Sequence, residues 1–528
     1  MHFLKVLIVS PPLSQEGYHG NFLSFVELIA RYDHILRQVL DMPKGSTRYL
    51  SATIQNEMIE SLGTKLETHL LEQIRASPFF AIIMDTTQDI SKADQLSIVV
   101  RYAVITRSEN GQPIDIEVKE VFLGFYAAIK HGAVDLVNQV TTLFIDKNID
   151  LKKCVGQGYD GASVMSGVYN GVQKHIKDIQ PNAEYVHCAT HNLNLVINDA
   201  VSSCVEIQIF FATLQDLYNF FGNSIKRWDL LSKFTGESDT TLKKLNPTRW
   251  SSRVNTISAI KLRYFDIIKA LSEIVLKSPN KDERSEAESI KTKMLNFEFV
   301  LLCEFMHSVL NDINYASKTL QKCDINLGEA SKVLAETKAK LQIYRNDFEL
   351  FKCKASETAR KYVLPQLTQA WTVHQLCKEI MSKYGVLECD LTEVFTAMLL
   401  FLLAKSICTV QLIDAAACQS MYRIICDVLL CVSVLFFAML ADRPARRAIA
   451  VLVFCVKTQQ FFTIPVTSAA AERSFSKLKI IKNYLKNNMG QTRLRHLSLI
   501  AIENKTASSL DLNEVIDTFA KTKARKKL

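Results

Sequence analysis

The chain has 528 residues, of which 48% are hydrophobic and 22% charged, and its formal net charge is +9 at pH 7. These values exclude a mainly disordered or collagen-like chain and are typical of a folded protein large enough for several domains. The modest basic excess permits a polyanionic partner but does not demonstrate one.

The two ends of the sequence and its cysteines bear on location. The N-terminal apolar run spans about five residues, shorter than the roughly 7 to 15 of a secretory signal, so we expect no secretory segment. Thirteen cysteines without a repeating pair spacing then indicate reduced thiols in the nucleus or cytoplasm. The basic run KTKARKKL at 521–528 fits either a solvated tail or a nuclear-import or nucleic-acid patch.

The first 190 residues predict helices followed by a mixed sheet. Apolar residues at helical spacing fill 20–78, with Ser51 as a cap. Strands are predicted at 79–85, 95–105, 116–128, 153–160 and 183–188, with helices at 133–148 and 167–179 between the later ones. Three hairpin-connected strands followed by alternating helices and strands predict a five-stranded mixed sheet with helices on its faces.

Two of these strands end in an acidic residue. The apolar run FFAIIM stops at Asp85, and the fourth strand stops at Asp160, which precedes a glycine. Asp residues at such points are common turn formers. If the first and fourth strands lie side by side and parallel, however, their carboxylates meet at one edge of the sheet and could bind a metal ion.

Residues 251–460 are mostly helical in pattern, with a long 3.6-residue periodicity over 283–321. Residues 394–456 are unusually apolar, and their strongest run, 428–441, is shorter than the roughly 18 to 20 residues that span a bilayer. This favours a buried helix over a membrane span, so we expect no membrane partner.

The C-terminal region predicts two amphipathic helices, at 468–489 and 492–504, with Ser468 as a cap. Apolar residues form one stripe on each helix, and such stripes need cover from the same chain or from a partner. The residues of the two stripes are Leu478, Ile481, Leu485, Leu497 and Ile500.

Five sequence blocks resemble those of hAT-superfamily DNA transposases, closest to the zinc-finger MYM-type-like branch of animal proteins derived from them. The most specific block is IPVTSAAAERSFSKLKIIKNYL, which resembles the hAT C-terminal dimerisation block. The other four are, in chain order, IIMDTTQDISKADQLSIVVRYA, GQGYDGASVMSG, YVHCATHNLNLVI and NPTRWSSR.

The resemblance implies an α/β fold of the RNase H-like type, with N-terminal helices and a sheet interrupted by a large all-helical insertion. The corresponding divisions are a helical region at 1–78, the first part of the core at 79–250, the insertion at 251–460, a C-terminal block at 461–505 and a basic tail at 506–528. It also implies self-association through the apolar stripes of the C-terminal block.

A catalytic triad is also implied by the resemblance, with Asp85, Asp160 and Glu472 in its three positions. Three carboxylates suit Mg²⁺ or Mn²⁺ rather than zinc. Two such ions would activate the attacking oxygen and stabilise the leaving oxygen of a phosphodiester.

Contacts to DNA are implied for three further residues. His191, in Cys188-x-x-His191, would approach the scissile phosphate, Arg249 would contact a phosphate, and Trp250 would stack on a flipped base. The alternative for Trp250 is a buried core position. Because no second pair of ligands stands at finger spacing, we expect no zinc site at Cys188 and His191.

One departure from the transposases decides the functional prediction. The N-terminal zinc finger that targets transposon ends in the family is not found in this sequence. We therefore expect a domesticated, nuclear, transposase-derived protein that dimerises and binds DNA. The alternatives are an active transposase that uses two-metal phosphoryl transfer and, more weakly, a membrane-associated protein.

Overall fold

The computed structural model describes residues 21–361, apart from 44–45, 47, 111–112, 129, 131, 237–241 and 246–249, and residues 455–522, apart from 484–485 and 487. The chain forms two compact units. The first contains the described residues up to Ala189, Cys323–Leu327 and those from 455 onward, and the second contains Thr190–Lys322 and the described residues from Gly328. Most of the apolar segment 394–456 lies outside the described residues.

The first unit is built on a five-stranded mixed sheet, which confirms the predicted fold. Its strands lie in the order β3-β2-β1-β4-β5, with β1 antiparallel to β2 and parallel to β4. Their bounds are β1 Phe80–Gln88, β2 Asp94–Arg107, β3 Pro113–Ala127, β4 Cys154–Tyr159 and β5 Glu184–His187.

Period-two alternation along β1 assigns its side chains to the two faces of the sheet. On one face Phe80 lies against Phe144, with 5.9 Å between ring centroids. The other face carries Ala81 and Ile83, and Asp85 follows with the same parity. The strand continues three residues beyond Asp85, so this residue lies inside β1 rather than at its end.

Helices of the first unit precede the sheet or cover it. Ser51 caps the long helix before β1 by accepting a hydrogen bond from Ile54 N at 3.3 Å, as predicted. The bounds are α1 Asn21–Ile29, α2 His34–Asp41, α3 Ala52–Ala76, α4 Ala133–Asp146, α5 Ser163–Ser166 and α6 Val172–Ile179.

The second unit is helical and has a core of its own, formed by apolar side chains of several of its helices. The pattern at 283–321 resolves into two helices that break near Leu295. The bounds are α7 Ala189–Ser202, which begins in the first unit, α8 Val205–Gly222, α9 Ile225–Thr235, α10 Trp250–Lys277, α11 Lys281–Met294, α12 Phe297–Leu320, α13 Leu327–Asn346 and α14 Phe348–Lys361.

After residue 455 the chain completes the first unit with a helical segment at 455–463, α15 Ala469–Ile481, α16 Gln491–Ile502, α17 Asn504–Ser509 and α18 Leu512–Thr522. The predicted helix 468–489 is thus too long. It ends at Ile481 because Lys482 adopts an extended conformation, and the Lys482 ammonium lies 2.7 Å from the buried Asp89 carboxylate.

Two glycines of β4 let the returning chain lie directly on the sheet. A Cβ atom at Gly156 or at Gly158 would come within 2.9 Å of the Pro465 ring, closer than atoms of a folded core can approach. The neighbouring Val466 carbonyl accepts a hydrogen bond of 3.1 Å from Ala189 N. These contacts set the position at which α15 begins.

A buried arginine on β2 holds three distant segments of the first unit. The Arg101 guanidinium is fully buried and lies 2.9 Å from the Glu120 carboxylate of β3. It also donates hydrogen bonds to the carbonyls of Cys323, Ile325 and Phe462. A single side chain thereby ties the sheet to 323–325 and to the segment that precedes α15.

Within the described residues, no single helix is both long and apolar enough to cross a membrane. The helices α7 and α8 pass such a test only as a pair, and the chain bends by 105° between them.

Replacing Arg101 by Met should strongly destabilise the first unit, because it leaves the buried Glu120 carboxylate with only the longer contact of 3.8 Å to Arg473. Removing one member of a buried pair costs about 3–5 kcal/mol. We expect this loss in the free energy of unfolding from urea titration, and partial recovery in the Arg101→Met, Glu120→Gln double variant.

The matched control is Arg37→Met, which breaks the exposed ion pair with Asp41 and should cost less than about 1 kcal/mol. Equal losses in the Arg101→Met and Arg37→Met variants would show that the buried pair does not hold the unit together.

Candidate functional site

The two predicted aspartates lie at matching positions of neighbouring parallel strands. The register pairs Ile83 of β1 with Gly158 of β4, so Asp85 and Asp160 each follow a paired residue by two positions. Alternation then places both carboxylates on the face of the sheet that Pro465 covers. The predicted juxtaposition rests on this register and on the electrostatic coupling described below.

Glu472 enters the same site on the first turn of α15. Its Oε1 accepts a hydrogen bond from Ser468 Oγ at 2.9 Å and lies 3.9 Å from Cys188 Sγ. Ser468 is the N-cap residue, but its hydroxyl makes no capping bond to the helix backbone. Ser468 and Cys188 therefore position the Glu472 side chain, and the serine hydroxyl does not cap the helix backbone.

The three carboxylates interact electrostatically. Burial, together with the charges of Asp160 and Glu472, raises the pKa of Asp85 to about 7, against a lowering hydrogen bond from Thr86 N. This is the pattern expected where like charges share a partly buried site. Near neutral pH, the Asp85 carboxyl group thus exchanges its proton readily, and it would lose that proton if a cation bound.

A divalent ion requires suitable donor atoms in a suitable arrangement, and the acidic site provides the first. Three carboxylates are the oxygen ligands that Mg²⁺ and Mn²⁺ prefer. Across the ranges that the structure describes, however, no three His, Cys, Asp or Glu side chains are grouped so that they could hold one metal ion. The chemistry of the set fits such an ion, while the Glu472 carboxylate is engaged by Ser468 and Cys188.

The predicted DNA contacts fall in or near the second unit. His191 lies in the first turn of α7, and Arg249 lies outside the described residues. Trp250 begins α10 and is only 4% exposed. The Arg253 guanidinium lies 3.9 Å from its ring centroid, and Phe211 packs edge-on at 5.6 Å.

The structure therefore contradicts the prediction that Trp250 stacks on a base, because other side chains already cover its ring. It is a core residue of the second unit, which was the alternative.

The apolar stripes of the C-terminal block face inward. Leu478, Ile481, Leu497 and Ile500 are at most 2% exposed and belong to the core of the first unit. The prediction that these four side chains form a self-association surface is therefore wrong, since the chain itself covers them. Leu485 lies outside the described residues.

Sequence reasoning missed a buried polar network that holds α15 and α16 to the sheet. Burial alone would raise the pKa of Asp89, but hydrogen bonds from Lys482, Ser91 and Gln95 lower this pKa to about 2. Gln491 Nε2 donates to the Phe125 carbonyl at 2.9 Å and lies 3.0 Å from Gln95 Oε1. A sequence signal was present, because Asp89 and Ser91 form a short polar turn between two apolar strands.

Asp85 within β1 and Asp160 just after the parallel strand β4, with Glu472 from a returning helix, are arranged as in an RNase H-like domain. Residues 13–171 match the family model described as "ZMYM1/FAM200, RNase-like domain". Residues 458–506 match the "hAT family C-terminal dimerisation region". The chain is thus similar to hAT-transposase-derived proteins in both matched regions, and the resemblance read from its five blocks is confirmed.

Two proteins are similar to more than half of this chain. The "52 kDa repressor of the inhibitor of the protein kinase" of Homo sapiens is 22% identical over 317 residues, covering 57% of this chain and 40% of that protein. The Mus musculus protein of the same name is 22% identical over 313 residues, with the same coverage. The chain thus spans about two fifths of the length of these relatives.

The raised pKa of Asp85 predicts a pH-dependent stability. A carboxyl group whose pKa rises from 3.8 in the unfolded chain to about 7 in the folded one binds its proton more tightly when folded. Stability from this group is therefore present at low pH and is lost as the pH rises through this interval. Asp85→Asn should unfold at a higher urea concentration than the unmodified chain at pH 8, with a smaller difference near pH 4.

The control is Asp115→Asn, which changes an exposed carboxylate on β3 and should show no such pH-dependent difference. A constant offset of the Asp85→Asn variant across the pH range would contradict the raised pKa of Asp85.

Proposed function

We propose that this protein works in the nucleus as a self-associating, DNA-binding protein derived from a transposase. The observation that carries the proposal is the joint presence of an RNase-like domain and a hAT dimerisation region in one chain. The basic net charge of +9 supports attraction to DNA, since phosphate contacts supply most of the non-specific affinity.

Catalysis is not required for this function, and the geometry of the acidic site supports a binding role. Glu472 is engaged by Ser468 and Cys188, and the described residues hold no assembled three-ligand group. Asp85 and Asp160 are the residues that would hold a divalent ion. When bound, Mg²⁺ or Mn²⁺ would polarise a phosphodiester for attack by an activated oxygen.

An active transposase is the second candidate, and one observation favours it. The charges of Asp160 and Glu472 raise the pKa of Asp85, so the fold couples three carboxylates that lie up to 387 positions apart in the sequence. Coupled carboxylates with a perturbed pKa are characteristic of functional sites, although structural networks also produce them.

Self-association is testable in the full chain by sedimentation equilibrium. We expect a dimer at micromolar concentration and weaker association in Leu485→Glu, because Leu485 belongs to the matched dimerisation region. Leu512→Glu is the control, since Leu512 is 57% exposed and lies beyond that region. A strict monomer in the unmodified chain would overturn the self-association part of the proposal.

Strand cleavage separates the two candidate functions. Purified full-length protein should bind labelled duplex DNA without cutting it in Mg²⁺ or Mn²⁺. Metal-dependent cleavage that disappears in Asp85→Ala and Asp160→Ala would establish the transposase alternative instead. A protein that neither binds nor cuts duplex DNA would contradict both.

A further inference from the structure

The exposed surface of the matched dimerisation region is basic. Residues 458–506 contain eight Lys or Arg residues and two Glu, a net charge of +6 within a chain of +9. Most of the apolar side chains of α15 and α16 are turned into the core, whereas Ile480 is exposed. The exposed surface of this region therefore carries mainly positive charge. Such a surface is suited to binding a polyanion.

Helical spacing divides α15 into an inner and an outer face. Its inner face carries Ala471, Phe475 and Leu478, all buried. On the opposite side lie Arg473 and Lys477, one turn apart, followed by Ile480, which is 63% exposed. The exposed large apolar side chain is thus flanked by cations, as at a surface that contacts both phosphates and sugars.

The row of side chains that begins at Glu472 continues into this basic face. Ser476 and Lys479 follow Glu472 by four and seven residues and therefore lie along the same side of the helix. At 1.5 Å per residue, Lys479 lies about 10 Å farther along the axis than Glu472. A nucleic-acid strand that reaches the acidic site can therefore run along α15 and meet a hydroxyl and then cations.

The two lysines of this face have little internal neutralisation. Arg473 is about half exposed and lies 3.8 Å from the Glu120 carboxylate, whereas Lys477 and Lys479 form no ion pair with a residue that the structure describes. Five residues beyond the end of α15, burial and the neighbouring Arg493 lower the pKa of Lys486. Positive charge thus accumulates along the helix and the segment after it, where a bound polyanion would relieve the repulsion.

Self-association is a poor explanation for the same face. In a two-fold symmetric dimer an interface meets an identical copy of itself. Arg473, Lys477 and Lys479 would then face cations of the partner, which is unfavourable unless an anion lies between them. Lysines near a helix C-terminus also stabilise the helix dipole, but that effect predicts no ligand.

We propose that the exposed side of α15, with Arg473 and Lys477 on its outer face and Ser476 and Lys479 on the row that begins at Glu472, binds the phosphate backbone of duplex DNA beside the acidic site. This inference rests on the proposed DNA-binding function and assigns it a surface. Lys477 and Lys479 supply charge to the phosphates, Ser476 supplies a hydrogen bond, and Ile480 contacts the sugar edge. The helix that carries Glu472 is then also the element that guides DNA toward it.

The test is the salt dependence of DNA binding by the full chain, measured as fluorescence anisotropy of a labelled duplex. In the Lys477→Ala, Lys479→Ala variant we expect weaker binding, and a plot of log K against log salt shallower by about 1.8, because each phosphate contact contributes about 0.9. Both positions are exposed and Ala favours helix, so unfolding curves and sedimentation should match those of the unmodified chain.

The matched control is Lys332→Ala, Lys338→Ala, which removes the same charge from exposed positions of α13 and should leave the slope nearly unchanged. If the unmodified chain binds duplex DNA and the α15 variant keeps its affinity and slope, this inference fails while the proposed function stands. If the unmodified chain does not bind, the proposed function itself fails. Equal loss in the control, or preference of the α15 face for RNA or single strands over duplex DNA, would also overturn the assignment.

Discussion

The close approach of Pro465 to β4 is the constraint on which the rest of the first unit depends. Gly156 and Gly158 leave no Cβ on the face that Pro465 covers, and the adjacent Val466 carbonyl is held by Ala189 N. This contact fixes where α15 begins and thus where Glu472 lies relative to Asp85 and Asp160. Arg101 supports the same arrangement by binding carbonyls on both sides of the long intervening sequence.

Much of this architecture could be predicted from local patterns. Continuous apolar runs gave the five strands to within three residues at each end, and the order of elements implied that β1 and β4 are parallel neighbours. Position in the sheet then implied the juxtaposition of Asp85 with Asp160. Nothing local could place Glu472, since its position depends on a contact between residues about 300 apart in sequence.

The errors have one physical origin. An amphipathic stripe shows that a helix face is buried, but it does not show whether the cover is the same chain or a partner. Leu478 and Ile500 need cover, and they find it in the sheet and helices of their own unit. Trp250 shows the same ambiguity, because an aromatic ring that could stack on a base can stack equally well on Arg253.

The position of α15 and α16 late in the chain also determines when the sheet can be covered during synthesis. Ser97 of β2 hydrogen-bonds Ser474 of α15 at 2.9 Å, and a Cβ atom at Gly63 of α3 would come within 2.7 Å of His496 of α16. A ribosome adds residues at roughly 5–20 per second. The helices that cover the sheet are therefore synthesised tens of seconds after its last strand. During that interval the apolar face of β1 and β2 is exposed, and we expect the nascent chain to need a chaperone until α15 and α16 emerge.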